Sequence, residues 1–419
     1  MTCRTPLALA LVAAAGLAAP LRAQSSAQLD DLKTLASDAW GGRLTGSAGA
    51  DSAAEFLARR FRQAGLRAPK EGWFQPFTVN PDAPAVKGTP LAGVQGRNVI
   101  GVLPGSDKRL RGEAVIVGAH YDHLGPGPFG ALDPDSTGRP HNGADDNASG
   151  TSALIAIAER LRKAKPKRTV VFIAFSGEEL GVLGSSWYVK HSAWPWDSTT
   201  AMVNMDMIGR LKNERLIVYG VETAREFRPL LDSLNATYKF DLKAQGDGFG
   251  PSDHSSFYAA RKPVLHVFTD LHEDYHRATD DWQKINADGL ARVTAYTADV
   301  VLALANRAAP LTFVDIPPPA PRPVAATGAK GASLGTVPDM AAGGPGVTLS
   351  GVRPGGPADA AGMRAGDVLV KVAGLEIADL QAMTDVLRGL DAGAEVEVVV
   401  LREGKPVTLK ATLGAPRGR

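Results

Sequence analysis

From residue 28 to about residue 65 the apolar positions recur at helical spacing. Leu29, Leu32 and Leu35 share one face, and Phe56, Leu57 and Phe61 form a second such group. Between them the run W-G-G-R-L-T-G-S is a glycine-rich loop. The proline-dotted stretch 73–90 reads as irregular chain or an edge strand, because proline has no N–H to give a ladder. A different pattern follows. Residues 98–103, 114–118, 169–175, 201–205 and 263–268 are short, continuous apolar runs, as expected of strands buried on both faces. Helical stretches such as 148–162 separate several of them. Strand alternating with helix predicts an α/β unit with a mostly parallel central sheet and helices on both faces.

After residue 310 that pattern stops. I-P-P-P-A-P-R-P-V-A-A-T-G-A-K-G-A cannot build a packed core and reads as a proline-rich linker over 311–332. Short strand patterns return at 346–349, 367–372, 396–401 and 407–409, with helical ones at 357–361 and 379–390. They predict a second, small mixed β/α unit over 333–415, of a size that folds alone only marginally.

The N-terminus follows a targeting pattern. Arg4 precedes the apolar, alanine-rich run 6–20, and Leu21-Arg22-Ala23 puts a small residue before Gln24. The expectation is a signal peptide over residues 1–23, leaving a first unit over 24–310. The apolar run falls short of the roughly 20 residues a membrane span needs. The mature chain is therefore expected to be periplasmic or extracellular, without stable membrane insertion.

Composition narrows the classes. The chain has 419 residues, 44% hydrophobic and 21% charged, an ordinary globular balance for two or three domains. A net charge of +2 offers no electrostatic footprint for nucleic acid. The single cysteine, Cys3, lies in the expected signal peptide, which leaves no disulfide and no thiol catalysis.

The polar residues that interrupt the apolar runs carry the chemistry. His120 follows 114–118, Glu178 and Glu179 follow 169–175, Asp206 follows 201–205, and His276 comes after 263–268. Ligands of open α/β sheets bind outside the carboxyl ends of the strands, so these side chains are expected to converge. The run G-A-D-D-N-A-S-G at 143–150 adds Asp145 and Asp146 just ahead of a helical pattern. Asp145 has a plainer reading as a helix cap, and the two glutamates as a solvated first turn. Buried together, however, paired acids are costly without a cation. Imidazole nitrogen with carboxylate oxygen is a donor set that suits zinc.

H-Y-D-H-L-G, G-A-D-D-N-A-S-G, G-E-E, N-M-D-M and D-Y-H occur in that order, and over residues 28–310 the chain resembles the co-catalytic zinc exopeptidases. That family includes bacterial leucyl aminopeptidases, glutamate carboxypeptidase and glutaminyl cyclase. The resemblance implies two zinc ions per chain and peptide substrates. His120 and Asp206 would hold one ion, Glu179 and His276 the other, and Asp145 would bridge them. His254, His266 and His272 compete for the second histidine, and the resemblance favours His276. A cis peptide would follow the bridging aspartate and join it to Asp146. Glu178 would be the general base, and Asp122 would take the second N–H of His120 and fix its tautomer. S-D-H-S-S-F would place Asp253 and His254 against the substrate. Aminopeptidase action is the leading expectation. A carboxypeptidase would need a fixed cation, for which Arg210 and Arg277 are the candidates. A single-zinc acyltransferase like glutaminyl cyclase is the other alternative.

The second unit resembles a circularly permuted bacterial PDZ domain, through S-L-G-T at 333–336, P-G-G-P-A-D-A-A-G-M at 354–363 and A-G-D-V-L at 365–369. The resemblance implies that Leu334, Gly335 and Thr336 present backbone N–H groups to a C-terminal peptide added at the sheet edge. A module that packs on the first unit and binds nothing is the alternative.

Overall fold

The structure, a computed structural model, describes residues 15–82, 86, 88–246, 248–316, 332–338, 346–353, 355–377, 382–383, 386–387 and 389–414. Two helices open it, α1 (Ala15–Leu35) and α2 (Ala48–Gln63). Helix α1 runs continuously through the expected cleavage position, while residues 1–14 lie outside the described residues. Among the described residues no helix is long and apolar enough to cross a membrane. At the start of α2 the Ser47 hydroxyl accepts the Ala50 N–H at 3.2 Å, and Phe56, Leu57 and Phe61 turn into the core.

Eight strands build the first sheet: β1 (Phe74–Thr78), β2 (Gln95–Leu103), β3 (Ala114–His120), β4 (Thr169–Phe175), β5 (Thr199–Met205), β6 (Arg215–Tyr219), β7 (Asp241–Ala244) and β8 (Val264–Phe268). Their order is β1-β2-β4-β3-β5-β8-β6-β7. The central four, β4, β3, β5 and β8, are mutually parallel, so their carboxyl ends emerge side by side. Strands β2 and β6 join this centre antiparallel. Every residue of β3 and β4 is buried, which explains their unbroken apolar runs.

The two faces of the sheet have different covers. Helices α3 (Gly150–Ala164), α5 (Phe227–Tyr238) and α7 (Ala287–Asn306) pack with α1 and α2 over the face that carries Val115 and Val117. On the other face Tyr188 of α4 (Leu183–Lys190) and Phe257 of α6 (His254–Ala259) meet Ile116 and Ile173. Alternate residues of one strand thus serve two cores.

The start of the expected linker is fastened to this unit. Arg225 N–H donates to the Thr312 carbonyl at 3.2 Å, Val314 N–H to Thr223 at 2.9 Å, and Ile316 N–H to the Tyr258 hydroxyl at 2.7 Å. Residues 317–331, the rest of that stretch up to Ala332, lie outside the described residues.

A separate antiparallel sheet follows: β9 (Thr336–Pro338), β10 (Val347–Val352), β11 (Val368–Val372), β12 (Leu375–Glu376), β13 (Glu395–Arg402) and β14 (Lys405–Thr412), with the short helix α8 (Pro357–Ala360). The order is β14-β13-β11-β10-β9, and β12 pairs with β11. Leu334, Leu349, Leu369, Val398 and Val400 form its own core. The helix expected over 379–390 falls partly outside the described residues.

Candidate active site

His120 is the last residue of β3, opposite Phe175 of β4. The parallel register therefore sets the Gly177–Glu179 turn, which follows β4, beside it. Asp206 comes one residue after β5. Between β3 and α3 the chain makes an irregular turn, Ala144–Ser149, with Asp146 and Asn147 in non-helical conformations. Gly143 enters this turn at φ +52°, and a Cβ there would stand 2.0 Å from the Asp146 carbonyl, so only glycine fits. The Asn147 side chain ties the turn to the end of β5, donating to the Met205 carbonyl at 3.0 Å and accepting the Met207 N–H at 3.3 Å.

It is Asp146, and not Asp145, that stands between the two halves of the cluster. Its Oδ1 lies 3.3 Å from His120 Nε2, and its Oδ2 lies 3.3 Å from His276 Nε2. Asp206 Oδ1 completes the first half at 3.3 Å from His120 Nε2. Glu179 Oε2 completes the second at 3.2 Å from His276 Nε2. Asp145 faces the other way. Its Oδ1 accepts the Gly209 N–H at 2.6 Å, and its Oδ2 lies 3.2 Å from His272 Nε2. The cis peptide likewise joins Asp146 to Asn147, one bond later than the resemblance implied. Neighbouring residues of an irregular turn point to opposite sides, and the run D-D-N does not say which does which.

Both histidines are held with Nε2 facing the carboxylates. The His276 Nδ1–H donates to the Gly130 carbonyl at 3.0 Å, and His120 Nδ1 lies 3.2 Å from the Asp122 carbonyl. The main chain of Asp122 thus does what its carboxylate was expected to do. That carboxylate, 3.8 Å from His120 Nδ1, instead accepts the Thr45 hydroxyl at 3.0 Å and the Glu178 N–H at 3.2 Å. It fixes the turn that carries Glu178. His276 sits at φ +54°, a left-handed conformation that costs about 1 kcal/mol or more and persists only where the surroundings impose it. His123 also joins the second half, with Nδ1 2.7 Å from Glu179 Oε1.

The electrostatics follow from burial and the surplus of acids. Burial pulls the His120 and His276 imidazoles down, but the facing carboxylates, Asp206 first for His120 and Glu179 for His276, outweigh it and hold both well above their usual range. Asp146 stays well below the ordinary carboxylate range in spite of burial, because His120 and His276 hydrogen-bond to it. Burial, reinforced by the charges of Glu179, Asp206 and Asp253, pushes Glu178 well above its usual range. The cluster therefore draws positive charge to itself. Donor atoms of His120, Asp146 and Asp206 lie within 4.8 Å of one another, and so do those of His123, Asp146 and Glu179. Imidazole nitrogens and carboxylate oxygens at that spacing fit zinc, and the shared Asp146 fits a pair of ions.

Several supports were not visible in the sequence reading. Asp280 Oδ2 accepts the N–H groups of Asp145 at 2.9 Å and Asp146 at 3.1 Å. The Ser252 hydroxyl donates to Asp206 Oδ2 at 2.8 Å, and Asn204 Nδ2 donates to Ser252 at 2.8 Å. Arg43, from the glycine-rich loop, is fully buried. It donates to the carbonyls of Tyr121 at 2.7 Å, Leu35 at 2.5 Å, Asn142 at 2.6 Å and Gly143 at 3.0 Å. It thereby clamps the His120 segment to the Asp146 turn. S-D-H-S-S-F carried a signal for Ser252, whereas a lone arginine in a loop carries none.

A cavity of ≈ 100 Å³ opens over the cluster. Glu178, Asp146, Asp206 and His276 line one side, and Met207, Phe268, Leu271 and Tyr275 form an apolar wall. His254 lines it too, stacked on His266 with ring centroids 4.3 Å apart. Asp253 does not line it. It is buried behind, its carboxyl pushed up to about 7 by burial. Arg210 is engaged elsewhere, with Asp274 at 3.1 Å and Asp280 at 3.2 Å. In the second unit the Gly335 N–H, expected to face a peptide, donates instead to the Ser333 hydroxyl at 3.2 Å. Leu334 is buried, and the Thr336 hydroxyl points to Met383 Sδ at 3.9 Å.

Comparison with known proteins gives the family of each unit. Residues 98–301 match the model of peptidase family M28, and residues 328–413 that of the PDZ domain. The first unit belongs to peptidase family M28, and the second is a PDZ domain. Aminopeptidase YwaD of Bacillus subtilis is 36% identical over 169 residues, which cover 39% of this chain and 33% of that protein. The chain thus spans a third of that relative's length. The M28 fold is also that of a zinc aminopeptidase from B. subtilis, with a TM-score of 0.54 at 19% identity over 66% of this chain and 94% of that one. Glutaminyl cyclase of Bacteroides thetaiotaomicron shares it as well, with a TM-score of 0.53 at 18% identity over 66% and 97% of the two chains. These two likenesses are of fold, which by itself does not choose a chemistry.

Proposed function

We propose that this chain is an exported zinc aminopeptidase that holds two ions and removes residues from the N-terminus of peptides. One observation carries the two-ion reading: Asp146 turns one oxygen to His120 and the other to His276. His120, Asp146 and Asp206 would hold one ion, and Asp146, Glu179 and His276 the other, with His123 a further donor beside Glu179. Bound there, the ions would polarise the scissile carbonyl and make hydroxide available near neutral pH. Glu178 would take the water's proton and return it to the leaving amine. Its raised affinity for a proton, caused by burial among like charges, suits that task. Asp122 orients it through the Glu178 N–H.

Direction follows from charge. The carboxylates around the ions favour a free α-amine on the substrate. Arg210, one of two cations a carboxypeptidase could have used, is spent on Asp274 and Asp280. The apolar wall of Met207, Phe268, Leu271 and Tyr275 suits an apolar N-terminal side chain. The N-terminal sequence pattern supports export to the periplasm or medium, and the PDZ domain supports contact with peptide C-termini.

The test combines metal analysis with two peptides of one sequence, one N-acetylated and one C-amidated. Two zinc ions per chain and cleavage of the amidated peptide alone are expected. Cleavage of the acetylated peptide alone would reverse the direction. One zinc per chain with cyclisation of N-terminal glutamine would make the chain a glutaminyl cyclase.

A further inference from the structure

Residues 125–141 form a loop longer than the roughly 12–15 residues beyond which loops in compact units are uncommon. It closes on itself: the Gly138 N–H donates to the Pro126 carbonyl at 2.7 Å, and the His141 N–H to that of Gly125 at 2.9 Å. Its base rests on Gly42 of the glycine-rich loop. The Gly125 N–H donates to the Gly42 carbonyl at 3.1 Å, and a Cβ on Gly42, at φ +76°, would run into the His141 carbonyl. Its tip grips the histidine of the second half of the cluster. The His276 Nδ1–H donates to the Gly130 carbonyl at 3.0 Å, the Leu132 N–H to the His276 carbonyl at 2.8 Å, and the Ala278 N–H to Asp133 Oδ2 at 2.9 Å. Asp133 Oδ1 in turn lies 2.9 Å from Nε2 of His141, which is fully buried and whose Nδ1 lies 3.2 Å from the carbonyls of Gly125 and Arg139. The Asp133–His141 pair thus ties the tip of the loop to its base. Burial would raise the Asp133 carboxyl, but hydrogen bonds from His141 and the Ala278 N–H outweigh it and keep it below its usual range. His120, by contrast, is held by the Asp122 carbonyl on its own stretch of chain, and among the described residues no bond from loop 125–141 reaches it.

We propose that Asp133 and His141 are positioning residues for the second zinc ion, and that they act by holding His276 in a conformation it would otherwise leave. The inference rests on the two-ion reading above. A φ of +54° is unfavourable for any residue with a Cβ, so His276 keeps it only while the chain on either side is fixed. The loop supplies that fixing: it bonds the ring, the carbonyl of His276 and the N–H two residues on. In this conformation Nε2 faces Asp146 Oδ2 at 3.3 Å and Glu179 Oε2 at 3.2 Å. Relaxed to an ordinary φ, the backbone would turn and the ring would leave both oxygens. Because the grip falls on this histidine and not on His120, it sets the affinity for the second ion and leaves that for the first to β3 and β5. Groups that orient a ligand histidine are worth about 10–100-fold in metal affinity. The two ions therefore have separately set affinities, and a chain without the pair keeps one ion at zinc concentrations where the intact protein keeps two.

The experiment uses the full-length protein, freed of metal and titrated with zinc against a chromogenic chelator, so that two dissociation constants are read without any turnover. His276→Ala, which removes a donor of the second ion alone, identifies its constant. Asp133→Ala is expected to raise that constant about 10–100-fold and to leave the other within about threefold. Asp133→Asn should stay within about threefold of the intact protein at both, since its amide oxygen can accept the Ala278 N–H and its NH2 can donate to His141 Nε2. His141→Gln, at the base of the loop, should raise the second constant by at least about threefold, and it decides by the same reading if Asp133→Ala does not fold. Equal weakening of both ions, or an unchanged second constant in these variants, would overturn the proposal. So would an Asp133→Asn protein that binds as weakly as Asp133→Ala, because charge and not position would then be the cause. An intact protein that takes up one ion only would instead overturn the two-ion reading beneath it.

Discussion

Arg43 offers the most quantitative test of how this site is held. Its guanidinium is fully buried, and burial lowers it only to about 10, so it stays charged at neutral pH. Replacing it by methionine keeps much of the volume and removes every donor. Of the four carbonyls it serves, Gly143 keeps the Ala148 N–H at 3.1 Å, and three lose the arginine with no substitute from the new side chain. At roughly 1–3 kcal/mol for each buried acceptor left unmet, and allowing for local relaxation, Arg43→Met should destabilise the M28 unit by about 4 kcal/mol. For a unit of this size that is a fall in Tm of roughly 10 °C. Guanidinium unfolding of the zinc-free protein, followed by tryptophan fluorescence, gives the number directly. The same variant should bind zinc about 10–100-fold more weakly, because the clamp orients the segments that carry His120 and Asp146. Arg43→Lys, with three donors on one nitrogen, should fall between. A loss below about 1 kcal/mol for the methionine variant would show that the loops hold each other without the arginine, and the clamp argument would fail.

Three further outcomes follow from the geometry. Asp146→Ala should reduce zinc to one ion or fewer per chain by elemental analysis, whereas Asp145→Asn, which can still accept the Gly209 N–H, should keep two; the reverse result would return the bridge to Asp145. Glu178→Gln should lower kcat roughly 10²–10⁴-fold with zinc content unchanged, and a variant that kept a tenth of the turnover would remove Glu178 as the base. Stability of the zinc-free protein should fall as pH rises from 6 to 9. His120 and His276 are raised in the folded state, so their stabilisation is complete below about 6.5 and is lost as pH climbs through the folded values. Glu178, also raised, acts in the same direction, while Glu179 and Asp146 are lowered and already ionised in both states over this window. A calorimetric Tm that rose between pH 6 and pH 9 in the presence of a chelator would contradict this.

The sequence by itself determined the sheet and the convergence of the cluster. Strands β3, β4, β5 and β8 are buried on both faces, so their apolar runs are unbroken and legible, and the polar residues just beyond them are placed by the parallel arrangement alone. His120, Glu179 and Asp206 were found in that way, whereas His276, eight residues beyond β8, was chosen over His254, His266 and His272 only by the family resemblance. Strands β6 and β7 were not seen: β7, at the sheet edge, is at most half-buried and D-L-K-A leaves a weak pattern, and β6 is a five-residue strand whose buried apolar run is only Leu216–Val218. Only the tertiary structure decided between Asp145 and Asp146, since the choice depends on backbone angles inside a six-residue turn and on where Gly209, His272 and Asp280 lie. It alone gave Arg43 its carbonyl partners, three of the four 78 to 100 residues away along the chain, and joined Ser252 to Asp206, 46 residues away. It also separated Arg210 from Arg277, two arginines alike in sequence, one neutralised by aspartates and the other lining a cleft beside the PDZ domain. Periodicity reports which face of an element is buried; which of two neighbouring charges meets which partner is a matter of long-range contact, and no local pattern encodes it.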